Sequence, residues 1–149
     1  MLILGPPGSG KTTLLRDLIR RISRMNRGSI AVVDERSEIF PMANGTFRFD
    51  PGPDTDVLLG RRKRDGINQV LRAMGPRWIA VDEITAEEDC EALSRAAWCG
   101  VGLIATAHAG SVREFRARSV YAPLMCSGLF RSAVVLHPDR SYHTERMGP

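Results

Sequence analysis

The sequence predicts an α/β fold of three layers, in which a mainly parallel β-sheet lies between helices. Short apolar runs alternate along the chain with helical patterns, and these runs lack the polar alternation of strands that face solvent. A phosphate-loop motif joins the first run to the first helical pattern. The 149 residues suffice for a compact core. We expect residues 1–149 to form one domain, the C-terminal part of a longer parent protein.

The predicted strands are five short apolar runs, at Leu2–Leu4, Ile30–Val33, Trp78–Val81, Leu103–Thr106 and Ala133–Leu136. Helical patterns lie between them. The first helix begins at Lys11, and its apolar face consists of Leu14, Leu15, Leu18, Ile19 and Ile22. The second stops at Gly75-Pro76 and carries apolar residues at helical spacing, namely Ile67, Val70, Leu71 and Met74.

Capping boxes predict two further helix starts, at Thr85 with Glu88 and at Ser111 with Glu114. The segment from Pro41 to Gly66 is rich in turn formers and charges, so we predict a long loop there. A loop of this length inside a small domain is more often functional than idle.

The phosphate-loop motif is the most specific signal in the chain. Residues 5–12 read GPPGSGKT, which fits GxxxxGK[ST] without a mismatch and has a strand before it and a helix after it. Glycines let successive N–H groups face a phosphate, Lys11 bridges β- and γ-oxygens, and the Thr12 hydroxyl ligates Mg²⁺. The predicted nucleotide-binding residues are Gly5, Pro6, Pro7, Gly8, Ser9, Gly10, Lys11, Thr12 and Thr13.

An acidic pair ends the third predicted strand, in the stretch RWIAVDEI. Ligands bind outside the carboxyl ends of parallel strands, so Asp82 and Glu83 point into the crevice of the phosphate loop. We expect Asp82 to hold Mg²⁺ through water and Glu83 to orient or deprotonate the attacking water. A kinase with a phosphate loop usually needs no such glutamate, because its nucleophile is a substrate hydroxyl. Glu83 therefore favours hydrolysis.

Two other strand ends carry candidate catalytic groups. His108 follows the fourth predicted strand, where it can contact a γ-phosphate or the attacking water, and Thr106 lies just before it. Glu35 follows the second predicted strand, between Asp34 and Arg36. Its carboxylate can polarise water or support the ligands of the metal ion. The alternative is that this segment is a plain surface turn.

Phosphoryl transfer often uses an arginine to neutralise charge in the transition state. The candidates are Arg36, Arg72, Arg113 and the run Arg61-Arg62-Lys63-Arg64. Arg72 is retained as a catalytic candidate, although its helix directs it outward. For the basic run a solvated loop is the favoured interpretation, and a contact with phosphate or an acidic partner is the alternative.

Composition limits the function classes. A net charge of +4 suits a polyphosphate ligand and does not by itself indicate nucleic acid. No apolar run approaches the roughly 20 residues that span a bilayer, and no signal peptide precedes Gly5, so we expect a cytoplasmic protein. The three cysteines lack CxxC spacing and do not indicate a zinc site or a disulfide framework.

Together these stretches resemble the ATPase domain of the stage III sporulation protein AA family, a relative of the type II and type IV secretion ATPases. The resemblance runs from Leu4 to about Leu136 and is carried by GPPGSGKTTLLRDLIR, VVDERSEI, TDVL, LRAMGPRWIAVDEI, EEDCEAL and GVGLIATAHA. It implies a RecA-like, catalytic-glutamate P-loop fold in which the His108 strand separates the Glu83 strand from the phosphate-loop strand.

The resemblance also implies function. ATP and Mg²⁺ are the expected cofactors, the segment at Asp34–Arg36 matches an acidic box, and Thr106–His108 matches a histidine box. Leu71-Arg72 matches the LR run before the second nucleotide motif. Such ATPases are hexameric rings that use arginines from neighbouring subunits, and this family powers or gates a membrane-associated channel complex during endospore formation, so a position peripheral to a membrane complex is implied.

Two other functions stay open from the residues. One is a nucleotide-gated scaffold that binds ATP with little turnover. The other is a RecA-like or helicase-like nucleic-acid motor, suggested by the basic run and a pI near 9.4. Aromatic residues for base stacking are sparse near the run, with Phe47 and Phe49 as its neighbours, so we do not expect a nucleic-acid partner.

Overall fold

The computed structural model describes residues 1–25, 28–126 and 128–148, and for Cys126 it describes the backbone alone. In chain order the elements are β1 (Leu2–Leu4), α1 (Lys11–Arg24), β2 (Ile30–Asp34), β3 (Met42–Ala43), β4 (Thr46–Phe47), β5 (Thr55–Leu59), α2 (Lys63–Ala73), β6 (Trp78–Val81), α3 (Glu87–Trp98), β7 (Gly102–Ala107), α4 (Val112–Ala117), a 3₁₀ turn (Ser119–Tyr121), α5 (Ala122–Cys126), β8 (Ser132–Leu136) and β9 (Tyr142–Arg146).

Seven strands form the central sheet in the order β5-β2-β6-β7-β1-β8-β9, and a separate hairpin pairs β3 with β4. All neighbours in the sheet are parallel except β8 and β9. This confirms the predicted α/β fold, and β7 lies between β6 and β1 as the resemblance implied.

Apolar side chains of the central strands divide between two buried clusters, one on each face of the sheet. Ile3 of β1 belongs to the cluster that includes Leu15 and Ile19 of α1. Its neighbours in β1, Leu2 and Leu4, belong to the cluster that includes α2 and α3. Because successive strand residues point to opposite faces, both faces must be apolar, which explains the continuous apolar runs.

The prediction of a long loop at Pro41–Gly66 is wrong. This segment contains the β3–β4 hairpin, the edge strand β5 and the first turn of α2. β5 is a half-buried edge strand next to β2, and such a strand can carry polar residues. These polar residues make its sequence similar to that of the turn formers around it. The edge strand β9 is also absent from the sequence prediction, because nearly all of it is exposed and polar.

The two predicted capping boxes have different outcomes. Ser111 caps α4 as predicted and accepts a bond from the Glu114 N–H at 3.1 Å, although the Glu114 carboxylate bonds to Gly110 N–H instead of Ser111. The Thr85 box is wrong, since α3 begins at Glu87 and its N-cap residue is Ala86, which has no side chain that could cap it. The chain still follows the sheet at residue 84, where the N–H donates to the Thr106 carbonyl, so the helix starts later.

No helix within the described residues combines the length and the apolar character needed to cross a bilayer.

Candidate nucleotide-binding and hydrolytic site

Most of the predicted site residues lie at the carboxyl edge of the sheet. The phosphate loop follows β1, the acidic box follows β2, Asp82-Glu83 follows β6, and His108 follows β7. These four strands are mutually parallel and lie within one continuous stretch of the sheet. Their carboxyl ends therefore bring segments that are distant in sequence into one crevice.

Residues 5–10 form a loop that leads into α1, which begins at Lys11. Gly8 and Gly10 have φ of 75° and 96°, which residues with a Cβ rarely adopt. Gly5 has a packing role, because a Cβ there would lie 2.5 Å from Ser9 Oγ and 3.1 Å from Leu136 Cβ. Within the described residues no side chain caps α1 at Gly10, which leaves the helix N-terminus open to an anion.

Lys11 folds back over this loop. Its Nζ donates to the carbonyl oxygens of Gly5 and Pro6, both at 2.9 Å. Burial lowers the pKa of Lys11, while the nearby charges of Glu83 and Asp82 oppose that shift. These carbonyl bonds hold the ammonium at the loop, and phosphate oxygens would offer it stronger, charged partners.

Thr12 and Asp82, the predicted metal residues, lie in direct contact. The Thr12 hydroxyl donates to Asp82 Oδ2 at 3.1 Å. Asp82 Oδ1 accepts from the buried Thr106 hydroxyl at 2.6 Å and from the Glu83 N–H at 3.0 Å. A hydroxyl and a carboxylate are oxygen ligands of the kind that Mg²⁺ takes, so this pair fits a magnesium ion.

Glu83 has an unusual backbone, with φ of 25°. A residue with a side chain pays roughly 1–3 kcal/mol for such a conformation. The surroundings hold it in place: the Glu83 N–H donates to Thr106 Oγ1 at 2.8 Å, and the next residue bonds back to β7. Thr106 is therefore the residue that fixes both Asp82 and Glu83.

His108 lies between Glu83 and Lys11. Its Nε2 is 3.0 Å from Glu83 Oε1, and its Nδ1 is 3.4 Å from Lys11 Nζ. A lysine ammonium can only donate, so Nδ1 accepts and the ring hydrogen is assigned to Nε2, which donates to Glu83. Arg36 Nη1 lies 3.8 Å from Glu83 Oε2. A chain of polar contacts thus links the acidic box, the glutamate, the histidine and the phosphate loop.

The acidic box has two separate roles in the structure. Asp34 is buried and accepts three backbone N–H bonds from residues 38–40, so it shapes the loop after β2. Glu35 Oε2 accepts from Lys63 Nζ at 2.9 Å. The plain surface turn, the alternative for this segment, does not describe it.

Lys63 is a site residue that the sequence reasoning missed. The favoured interpretation of Arg61–Arg64 as a solvated loop is wrong for Lys63, which is 6% exposed at the start of α2, while the three arginines are exposed. The sequence does contain an indication of this burial. Lys63 lies one helical turn before Ile67, so it shares the apolar face that Ile67 and Val70 define.

Three predicted residues are exposed and take no part in the contacts just described. Arg72 is exposed in the last turn of α2, at the opposite end of the sheet, because α2 runs from the carboxyl edge back to the start of β6. The structure does not bring it to the site within one chain. Arg113 is exposed on α4, and Thr13 is exposed on the first turn of α1.

Comparison with solved structures identifies the fold. The chain aligns over 97% of its length with the VirB11 ATPase of the Brucella suis type IV secretion system, solved with sulphate, at a TM-score of 0.65 and 20% identity, covering 46% of that chain. It aligns over 97% of its length with the Legionella pneumophila ATPase DotB, at a TM-score of 0.63 and 20% identity, covering 43% of that chain. The pilus retraction motor PilT, solved with ADP, has a TM-score of 0.64 and 19% identity over 89% of this chain and 41% of its own. The fold is the RecA-like fold of secretion ATPases.

Sequence relatives extend this result. Stage III sporulation protein AA of Bacillus subtilis is 41% identical over 121 residues, which cover 78% of this chain and 39% of that protein. The Arabidopsis thaliana protein SEEDLING PLASTID DEVELOPMENT 1 is 33% identical over 121 residues, covering 72% of this chain and 16% of its own. The chain thus spans less than two fifths of either relative. A profile described as "Sporulation stage III, protein AA" matches residues 1–145, and the chain therefore belongs to the stage III sporulation protein AA family.

Proposed function

We propose that this chain is a Mg²⁺-dependent ATPase domain that binds ATP at Gly5–Thr13 and hydrolyses it to ADP and phosphate. The observation that carries the proposal is the polar chain from Lys11 through His108 to Glu83, with bonds of 3.4 Å and 3.0 Å. It sets a carboxylate beside the phosphate loop. A general base must stand within reach of a water that sits against the bound phosphate.

Each residue has a defined task in this proposal. The loop N–H groups and Lys11 bind phosphate oxygens, and Lys11 exchanges its two carbonyl partners for them. Thr12 and Asp82 would hold Mg²⁺, which neutralises charge on the phosphate oxygens when bound. Glu83 accepts a proton from the attacking water. His108, as a donor to Glu83 Oε1, orients that carboxylate, and its other oxygen, which lies 3.8 Å from Arg36 Nη1, accepts the proton from water.

The domain acts, in this proposal, as the motor part of a longer protein that assembles into a ring and works beside a membrane complex. Family membership and the secretion ATPase fold support this assignment. Arg72 is exposed at the opposite end of the sheet from this site, and this position fits a role toward a neighbouring subunit better than one in its own site. Mass measurement in solution, with and without ATP and Mg²⁺, tests ring formation.

Phosphate release tests the catalytic proposal directly. The wild-type chain should release phosphate from ATP with Mg²⁺ and lose this activity in EDTA. Glu83→Gln should bind ATP normally and turn over about 10²–10⁴-fold more slowly, the usual contribution of a general base. Glu91→Gln, on the exposed face of α3, is the matched control and should behave as wild type.

Other outcomes favour the alternatives. Tight ATP binding without phosphate release, in every oligomeric state, would support the nucleotide-gated scaffold. Stimulation of phosphate release by DNA, with an affinity that falls steeply with salt, would support the nucleic-acid motor. A Glu83→Gln rate equal to that of wild type would contradict the assigned base.

A further inference from the structure

Lys63 is a buried charge that the proposed reaction does not use. It is 6% exposed and shares a face of α2 with Ile67 and Val70, which are fully buried. A buried charge costs free energy unless it is paired, and replacing a whole buried ion pair by apolar residues is often neutral or stabilising. Packing alone therefore does not require an ion pair at this position.

The partner of Lys63 is Glu35, which directly follows β2. Glu35 Oε2 accepts from Lys63 Nζ at 2.9 Å and from the Lys63 N–H at 3.3 Å. No side chain caps α2 at Arg62, so among the described residues this carboxylate serves the first turn instead. The bond from Lys63 holds the pKa of Glu35 below its ordinary range.

A second carboxyl group acts on the same lysine. Asp89 of α3 is buried, and burial raises its pKa, while the positive charge of Lys63 opposes that shift. The Lys63 charge therefore acts on two carboxyl groups, while its ammonium forms an ion pair with Glu35 at 2.9 Å.

Glu35 also lines a cleft that it shares with the proposed catalytic glutamate, Glu83. Glu35, Lys63, Asp82 and Glu83 line one cleft of about 10 Å³, close to the room that one water needs. Both hydrogen bonds that Glu35 accepts from Lys63 use Oε2, and among the described residues Oε1 has no hydrogen-bond partner. One carboxylate oxygen is thus fixed and the other is available to water.

We propose that Lys63 is a positioning residue for hydrolysis, which fixes Glu35 so that its second carboxylate oxygen holds water in the cleft shared with Glu83. This inference rests on the proposed function. It separates the roles of two residues in the same basic run, since Lys63 acts inside the site while Arg64 lies in solvent.

The test compares Lys63→Met, Lys63→Arg, Glu35→Gln and the double variant Lys63→Met/Glu35→Gln. Arg95→Met, which removes an exposed charge from α3, is the matched control. The measurements are kcat and KM for phosphate release, together with Tm. Lys63→Met should keep its KM and lose about 10–100-fold in kcat, as other changes behind a catalytic group do, and its Tm should fall because Glu35 loses its partner.

Two further results are expected. Lys63→Arg should recover part of kcat, because it keeps the charge but holds carboxylates with a different donor geometry. The double variant should be no slower than Glu35→Gln alone, since both changes remove one interaction. A kcat of Lys63→Met equal to that of Arg95→Met would overturn the inference.

If Lys63→Met does not fold, Glu35→Gln decides the question: a wild-type kcat in that variant means that the Glu35 carboxylate does not act in hydrolysis, and the inference is wrong. Failure of the proposed function is distinguishable, because the wild-type chain itself would then release no phosphate, and the inference would fall with it.

Discussion

Replacing Asp34 tests how the acidic-box loop is built. Its Oδ1 accepts from the Glu38 N–H at 2.9 Å, and its Oδ2 accepts from the N–H groups of Ile39 and Phe40 at 3.0 and 2.9 Å. Ile39 and Phe40 are fully buried, so water cannot replace the lost acceptor for their N–H groups. Each buried group left unpaired costs about 1–3 kcal/mol.

Asp34→Ala should therefore lower the free energy of unfolding by about 2–6 kcal/mol, from two such groups. Asp34→Asn keeps one oxygen, which can still serve Ile39 and Phe40, and should cost about 1–2 kcal/mol. Urea unfolding followed by circular dichroism measures both values. Asp56→Ala, at an exposed position of β5, is the control and should change stability by less than about 0.5 kcal/mol. An Asp34→Ala midpoint equal to that of the control would refute the reasoning.

Three further predictions concern packing, the site and a thiol. Gly66→Ala should destabilise the fold by about 1–3 kcal/mol, because its Cβ would lie 2.5 Å from Val33 Cγ1; adding Val33→Ala should recover part of the loss in the same urea assay. Thr106→Val should raise the Mg²⁺ concentration needed for phosphate release, since it removes the donor to Asp82, whereas Thr106→Ser should not; equal Mg²⁺ dependence would argue against the role assigned to this hydroxyl. Burial raises the pKa of Cys90 to about 12, so its thiol stays protonated well above the ordinary value of 9.0. Iodoacetamide at pH 9 should therefore label exposed Cys99 in the native protein and Cys90 only in urea; fast native labelling of Cys90, read by mass spectrometry, would show that it is not buried.

The central part of the fold can be predicted because its strands and its phosphate loop depend on short, local sequence patterns. Strands covered on both faces must be apolar at every position, so Leu2–Leu4 and Trp78–Val81 were predicted with the bounds that the structure has. The phosphate loop needs glycines at positive φ and a helix after it, and the chain carries both at Gly8, Gly10 and Lys11. The positions of the strand ends in turn predict that Asp82, Glu83 and His108 lie close together.

The parts that sequence reasoning missed depend on distant partners. β5 becomes a strand because β2 supplies its hydrogen bonds, and β9 does so because of β8. Lys63 is buried because Glu35, 28 residues earlier, neutralises it. A charged residue with no visible partner is normally assigned to the surface, so this position needs the tertiary structure.

The most direct test of the central claim is a single turnover with protein in excess over radiolabelled ATP. This measurement reports the chemical step alone and does not depend on product release. With Mg²⁺ the wild-type chain should convert the bound ATP to ADP, while Glu83→Gln should retain it as ATP for much longer. Equal conversion by the two proteins, or no conversion by the wild type, would contradict a site in which Glu83 activates water beside the phosphate loop.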